Sequence, residues 1–274
     1  MLKFRSITVN GKVTTRFDHP LNPGDKIEVL TDKDPRRGEP PRFNIEVVYD
    51  DESLIVINKP PGLLTVATEK VATRTAFYAV NDYLNKSEAE NNRRSGRKNE
   101  RPVRRKQIFI VHRLDQDASG LLVLAKNESV KRLLQDNWDK AVKKYYAVVE
   151  GTPREKSGTI TSYLNENKIL SVYSTKKPGL GKLSTTHYRV LKSNDAYSLL
   201  EIQLETGRKH QIRVHLSEMK HPIAGDDRYE AKTNPAKRLL LHAFCLSFQH
   251  PETRKILRFE TPLPQAFSAV IPRA

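Results

Sequence analysis

Apolar residues in this chain come in short unbroken runs, and that feature most narrows what it can fold into. Leu54-Ile55-Val56-Ile57, Ile108-Phe109-Ile110-Val111 and Leu121-Leu122-Val123-Leu124-Ala125 are each too short for a helix and are bounded by polar residues or glycine. Such runs predict strands with both faces covered. Strand patterns recur at Val47–Tyr49, Tyr145–Glu150, Thr185–Leu191, Ser198–Leu204 and Leu241–Phe248. Helical patterns are few. Thr75–Leu84 reads as a short helix, and Asn127 can cap a second helix whose apolar positions are Val130, Leu133, Leu134 and Trp138. A third is predicted from Arg213 onward, with Ile212, Leu216 and Met219 on one face. Many strands and few long helices predict the α+β class.

The flanks of these runs set the organisation. Ile7-Thr8-Val9 leads into Asn10-Gly11, a strong hairpin signal, and Pro23-Gly24-Asp25 marks another turn. Residues 1–30 therefore read as a small β-rich unit, 31–43 (TDKDPRRGEPPRF) as a linker, and 44–274 as the main domain. Within the main domain, KSEAENNRRSGRKNERPVRRK (86–106) has almost no large apolar residue and reads as a solvated basic insertion.

Charge points to the partner. Lys and Arg total 48 against 32 Asp and Glu, a net +16. Such a surplus favours a polyanion, and nucleic acid fits because cationic side chains release counterions when they neutralise phosphates. No strongly amphipathic basic helix suggests a membrane surface, and no apolar stretch approaches the roughly 20 residues of a membrane span. A lone cysteine, Cys245, excludes an intrachain disulfide and a multi-cysteine metal site, and fits a reducing, cytoplasmic setting.

Two segments carry the chemistry. His112-Arg113-Leu114-Asp115-Gln116-Asp117-Ala118-Ser119-Gly120 lies between two apolar strands, where a carboxylate can emerge from a sheet end. Asp115 and Asp117 also suit a plain turn. Thr206-Gly207-Arg208-Lys209-His210-Gln211-Ile212-Arg213-Val214-His215-Leu216 combines turn residues, basic groups and an apolar stripe. Arg213, at the margin of that stripe, needs a carboxylate partner if buried. The pair His210 and His215 has no third ligand pattern, so no metal is expected.

Taken together, HRLDQDASGLLVLAK, KKYYAVVEG, LETGRKHQIRVHL and HPIAGDDRY resemble the ordered signature blocks of RluA-type RNA pseudouridine synthases. DESLIVINKPPGLLT (51–65) and LLLHAFCLSFQHP (239–251) resemble the family's flanking strands, and 7–30 is similar to the second half of a small S4 RNA-binding domain. The resemblance implies an α+β fold with a central mixed, largely antiparallel sheet and a cleft. It implies Asp115 as the catalytic aspartate, Arg213 as its pairing arginine and Tyr145 as the tyrosine that stacks on the target base. It implies an RNA contact from Arg113, and the neighbouring His112, Arg208, His210 and Gln211 are read as further RNA-binding residues. Ala118 departs from the family's usual threonine. The expected enzyme is a monomer that isomerises uridines in structured RNA without cofactor or metal. Large-subunit ribosomal RNA leads as substrate, with transfer RNA next. A non-catalytic RNA-binding or ribosome-associated protein on the same fold is the alternative.

Overall fold

The computed structural model describes residues 7–14, 19–30, 45–68, 71, 74–94, 107–167 and 171–271. The chain divides into two compact units, Met1–Glu46 with Leu63–Ile108, and Val47–Gly62 with Phe109–Ala274.

In the first unit, β1 (Ile7–Val9), β2 (Lys12–Thr14) and β3 (Ile27–Val29) form a small antiparallel sheet in the order β2-β1-β3. Asn10 and Gly11 both have positive φ, 52° and 76°, as a two-residue hairpin turn demands. Asn10 Oδ1 accepts from the Lys26 amide at 2.9 Å, and its Nδ2 donates to Asp25 Oδ1 at 2.7 Å. One side chain thus ties the hairpin to the strand that follows. The unit's helix, α1, runs Ala76–Arg94, ten residues past the expected end at Leu84. The helix thus takes in 86–94, the first part of the segment read as a solvated basic insertion. Their Lys, Glu, Ala and Arg are good helix formers, which outweighs the loss of an apolar face. The rest of that insertion, 95–106, falls outside the described residues.

The second unit is built on one large mixed sheet. Its strands are β4 (Glu46–Asp50), β5 (Leu54–Lys59), β6 (Phe109–Ile110), β7 (Ser119–Ala125), β8 (Val142–Glu150), β9 (Ser157–Glu166), β10 (Val172–Thr175), β11 (Lys182–Ser193), β12 (Tyr197–Leu204), β13 (Leu241–Gln249) and β14 (Ile256–Glu260). The order is β10-β9-β11-β12-β8-β13-β7-β5-β4, with β14 beside β13 and β6 beside β7. Helices α2 (Glu128–Asp136), α3 (Gln211–Glu218) and α4 (Gln265–Val270) complete the unit. The sheet is largely antiparallel, and among the described pairings within it only β7 with β13 is parallel.

The continuous apolar runs are the buried centre. Leu54–Ile57 of β5 and all of β7 are buried on both faces, and each fully buried Leu or Ile contributes about 1.5–3 kcal/mol. Leu121, Val123 and Ala125 of β7 pack with Val130 and Leu134 of α2 in one core, together with Leu246 and Phe248 of β13. Asn127 caps α2 as predicted, its side chain accepting from the Val130 amide at 2.8 Å. A second core joins Leu200, Ile202 and Leu204 of β12 to Ile212 and Leu216 of α3 and to Phe267 of α4. Ala118, the departure from the family pattern, is buried in this core. At Gly120, φ is +116° and a Cβ would lie 2.2 Å from the Ala243 carbonyl oxygen. Only glycine permits the close pass of β7 over β13 there. That pass fixes where the chain entering β7, with Asp115, leaves the sheet.

Candidate active site

Asp115 stands in the loop between β6 and β7, its side chain 23% exposed. The first turn of α3 approaches it. Arg213 donates from Nη1 to Asp115 Oδ2 at 3.3 Å. This is the pairing the resemblance implied, but it is not the strongest contact the arginine makes. Arg213 Nε donates to Asp226 Oδ2 and Nη2 to Asp226 Oδ1, both at 2.7 Å, a bidentate grip on a carboxylate with no exposed surface. The sequence ties a carboxylate partner to Arg213 on condition of burial, and the structure supplies both, with Asp226 as a partner the sequence did not single out. Burial alone would lower the Arg213 guanidinium. Its hydrogen bonds and charge interactions with Asp226, then Asp115, more than reverse that and push it up, so it is a fixed cation.

Tyr145, on β8, lies within electrostatic reach of the same carboxylate. Burial, and then the Asp115 charge, push its phenol well up, so the hydroxyl stays protonated and can donate. The carboxylate, the guanidinium and the phenol therefore converge from a loop, a helix and a strand.

Lys59, which the sequence did not single out, completes the floor. It ends β5 at the Asn58-Lys59-Pro60-Pro61-Gly62 stop and is fully buried. Its Nζ donates to the Pro60 carbonyl at 2.9 Å and to the Gln116 carbonyl at 3.0 Å. The residue directly after Asp115 is thus held from below. Burial pulls the Lys59 ammonium down to about 7, against the opposing pull of Asp117 and Asp115. Gln116 Nε2 donates back to the Gly62 carbonyl at 3.3 Å, so loop and strand end are tied twice.

The remaining expected residues separate into two groups. Arg113 and Arg208 are exposed and free to meet an anion. His210 sits beside the site with Nε2 3.9 Å from Asp115 Oδ1, and its Nδ1 shares a 2.7 Å hydrogen bond with the Tyr229 hydroxyl. Its φ of 53° is the left-handed conformation, a strain of about 1–3 kcal/mol that turns the chain into α3. Burial lowers its imidazole; Asp115 opposes that shift, and Arg213, Arg228 and Lys209 add to it.

Gln211 and His112 are placed differently from the expected RNA contacts. Gln211 is buried and its amide is saturated. Its Oε1 accepts from Thr206 Oγ1 and the Arg208 amide, and its Nε2 donates to the Thr185 carbonyl and Thr186 Oγ1. It braces the 206–211 turn. His112 stacks on Trp138 with ring centroids 4.5 Å apart, and its Nε2 accepts from the Val123 amide at 3.1 Å. Burial, then Lys143, hold it neutral with a pKa near 3, so it pins the loop as an uncharged ring.

The ring nitrogens of His210 and His215 are engaged with different partners. His215 faces away, with Nε2 2.9 Å from Ser162 Oγ and Nδ1 2.9 Å from Thr186 Oγ1. Among the described residues, no group of three or more His, Cys, Asp or Glu could hold a metal ion, and no helix is long and apolar enough to cross a membrane.

Known proteins are similar to this chain in sequence and fold. The family model described as RNA pseudouridylate synthase matches residues 53–218, which carry Asp115, Tyr145 and Arg213. An uncharacterised RNA pseudouridine synthase of Mycoplasma pneumoniae is 34% identical over 96% of this chain and 82% of its own length. Ribosomal large subunit pseudouridine synthase D of Vibrio cholerae is 32% identical over 94% of this chain and 80% of its own length. Among solved structures, human RNA pseudouridylate synthase domain containing 4 aligns with a TM-score of 0.60 at 25% identity, over 81% of this chain and 90% of that one.

Proposed function

Because the chain belongs to the RNA pseudouridylate synthase family, whose members are isomerases, we propose that it converts uridine to pseudouridine in folded RNA with Asp115 as the reacting carboxylate. The observation that carries this reading is the convergence on Asp115 of one fixed cation, Arg213, and one protonated phenol, Tyr145.

The reaction breaks the bond from uracil N1 to C1′ of the ribose, turns the base and joins C5 to C1′, with the C5 proton lost and N1 protonated. Product and substrate are isomers, so nothing is oxidised and no co-reactant is consumed. A carboxylate that acts as nucleophile or takes a ribose proton works in its ionised form, and Arg213 stands beside it as a cationic partner at 3.3 Å. With Asp226 holding its other edge, the guanidinium cannot follow the carboxylate away from the sheet. Tyr145 supplies a ring for stacking on the flipped base and a hydroxyl for proton transfer. Unstacking a base costs a few kcal/mol, offset by aromatic stacking and phosphate contacts. Exposed Arg113 and Arg208 suit those contacts.

Large-subunit ribosomal RNA is the proposed substrate. Relatives named ribosomal large subunit pseudouridine synthase D align over 94–97% of the chain, and we read the small N-terminal sheet as an S4-like RNA-binding segment. Release of tritium from 5-tritiated uridine in bulk ribosomal RNA, lost in Asp115→Asn, is the expected result. No release from ribosomal or transfer RNA would instead support the non-catalytic RNA-binding reading. Mapping pseudouridines in cells with and without the gene identifies the position.

A further inference from the structure

Two arginines flank the Asp115 loop, and the fold treats them in opposite ways. Arg213 has a buried carboxylate gripping it from one side and Asp115 on the other. Arg238, half-buried just before β13, makes no ion pair with any described carboxylate; Asp117 is within electrostatic reach but not in contact. Nε donates to the Leu239 carbonyl at 3.1 Å and Nη2 to Ser119 Oγ at 2.8 Å. Its other donors, both on Nη1 included, have no partner among the described residues. Burial lowers its guanidinium, the opposite of the shift at Arg213. A cation drawn partly out of water and given no counterion is costly unless an anion arrives.

The side chain is also aimed rather than loose. Ser119 Oγ, which accepts from Arg238, lies 2.8 Å from His242 Nδ1, and His242 Nε2 lies 2.8 Å from Thr261 Oγ1. Burial, then Arg238 itself, hold His242 neutral with a pKa near 4. Thr261 Oγ1 donates to the Phe244 carbonyl and so accepts from His242 Nε2, which leaves Nδ1 to accept from the serine hydroxyl, whose lone pair meets the arginine. Ser119, His242 and Thr261 are all buried, and the Phe267 ring lies 5.8 Å from the guanidinium carbon. The backbone is fixed as well: a Cβ on Gly225 would come within 2.2 Å of the Arg238 carbonyl oxygen. Arg238 is therefore clamped to both segments that build the site, the loop of Asp115 and the turn of Asp226.

We infer that Arg238 is a phosphate-binding residue for the reaction, taking a phosphodiester beside the flipped uridine on its free guanidinium edge. The inference rests on the reading that RNA is the substrate of the Asp115 site. RNA presents an anion at every nucleotide, and a planar guanidinium with a free edge matches two phosphate oxygens at once. The tie to Ser119 places that anion at a set distance from Asp115, so a backbone contact positions the base without reading it.

The test uses the whole chain with Arg238→Gln, Arg238→Lys and Ser119→Ala. Binding of a fluorescent oligouridylate of about ten nucleotides is followed between about 50 and 300 mM KCl. Losing one phosphate contact lowers the log–log salt slope by about 0.7 in Arg238→Gln. Arg238→Lys and Ser119→Ala keep the charge and keep the slope. On 5-tritiated bulk ribosomal RNA, Arg238→Gln raises KM about tenfold or more with a smaller change in kcat. An unchanged slope with unchanged KM overturns the inference. So does a fall in kcat alone that Ser119→Ala reproduces, because the arginine would then act only by holding the loop. If Arg238→Gln does not fold, Arg238→Lys decides: a raised KM supports the phosphate contact, and an unchanged slope with unchanged KM overturns it. An inactive wild-type protein would sink the functional reading instead, which the tritium assay reports separately from the slope.

Discussion

Arg213 and Asp226 form a two-pronged ion pair, Nε to Oδ2 and Nη2 to Oδ1 at 2.7 Å each, with the Asp226 side chain wholly buried. The pair divides the arginine into a structural edge and a working tip, since only Nη1 faces Asp115. Asp226→Asn keeps the shape but leaves a buried guanidinium without its counterion. It is expected to destabilise the fold by about 3–5 kcal/mol, read by urea denaturation, and to reduce tritium release. A loss below about 1 kcal/mol would show that Asp115 or solvent suffices to hold Arg213.

Asp115→Asn is expected to behave differently. Arg213 keeps both bonds to Asp226, and Asp115 is the more exposed carboxylate, so stability changes by less than about 1 kcal/mol. Product formation falls to background while RNA affinity stays within about threefold, because the change removes a charge that repels phosphate. Turnover that survives in a preparation free of wild-type enzyme would remove Asp115 from the chemistry.

Tyr145→Phe separates ring from hydroxyl. Burial and the Asp115 charge keep the phenol protonated throughout the working pH range, so any contribution beyond stacking is that of a proton donor. The variant is expected to bind RNA as wild type does and to turn over more slowly, by about 10²–10⁴-fold if the hydroxyl acts as general acid. Equal kcat would restrict Tyr145 to stacking.

Legibility followed the range of the interactions. The Asn10-Gly11 turn, the Asn127 cap and the unbroken strands β5 and β7 rest on local chemistry, and the sequence predicts them. The need of Arg213 for a carboxylate was local too, but its owner, Asp226, comes from a turn that only the folded sheet brings back. Lys59 was harder still. Lysine is seldom fully buried, and its partner at Gln116 is far along the chain. Gln211 and His112 carry polar groups that read equally as RNA contacts or as turn and loop braces, and only the partners decide. Strands β9 and β14 went unread because their alternating, half-exposed residues hold no continuous apolar run.

Lys59 gives the pH test. The unfolded chain binds its proton with an ordinary lysine pKa of 10.5, the folded chain with one of about 7. Below about pH 7 both states are charged, and the fold bears the full cost of burying the ammonium. Between about 7 and 10.5 the unfolded state holds more protons, so unfolding free energy rises with pH. Lys59→Met removes this titration, leaving every other group in common. The stability of wild type relative to Lys59→Met should therefore increase from pH 6.5 to 9.5, by a few kcal/mol in order of magnitude. A difference independent of pH would mean that the ammonium stays charged through its bonds to the Pro60 and Gln116 carbonyls, and that Lys59 anchors the Asp115 loop as a permanent cation.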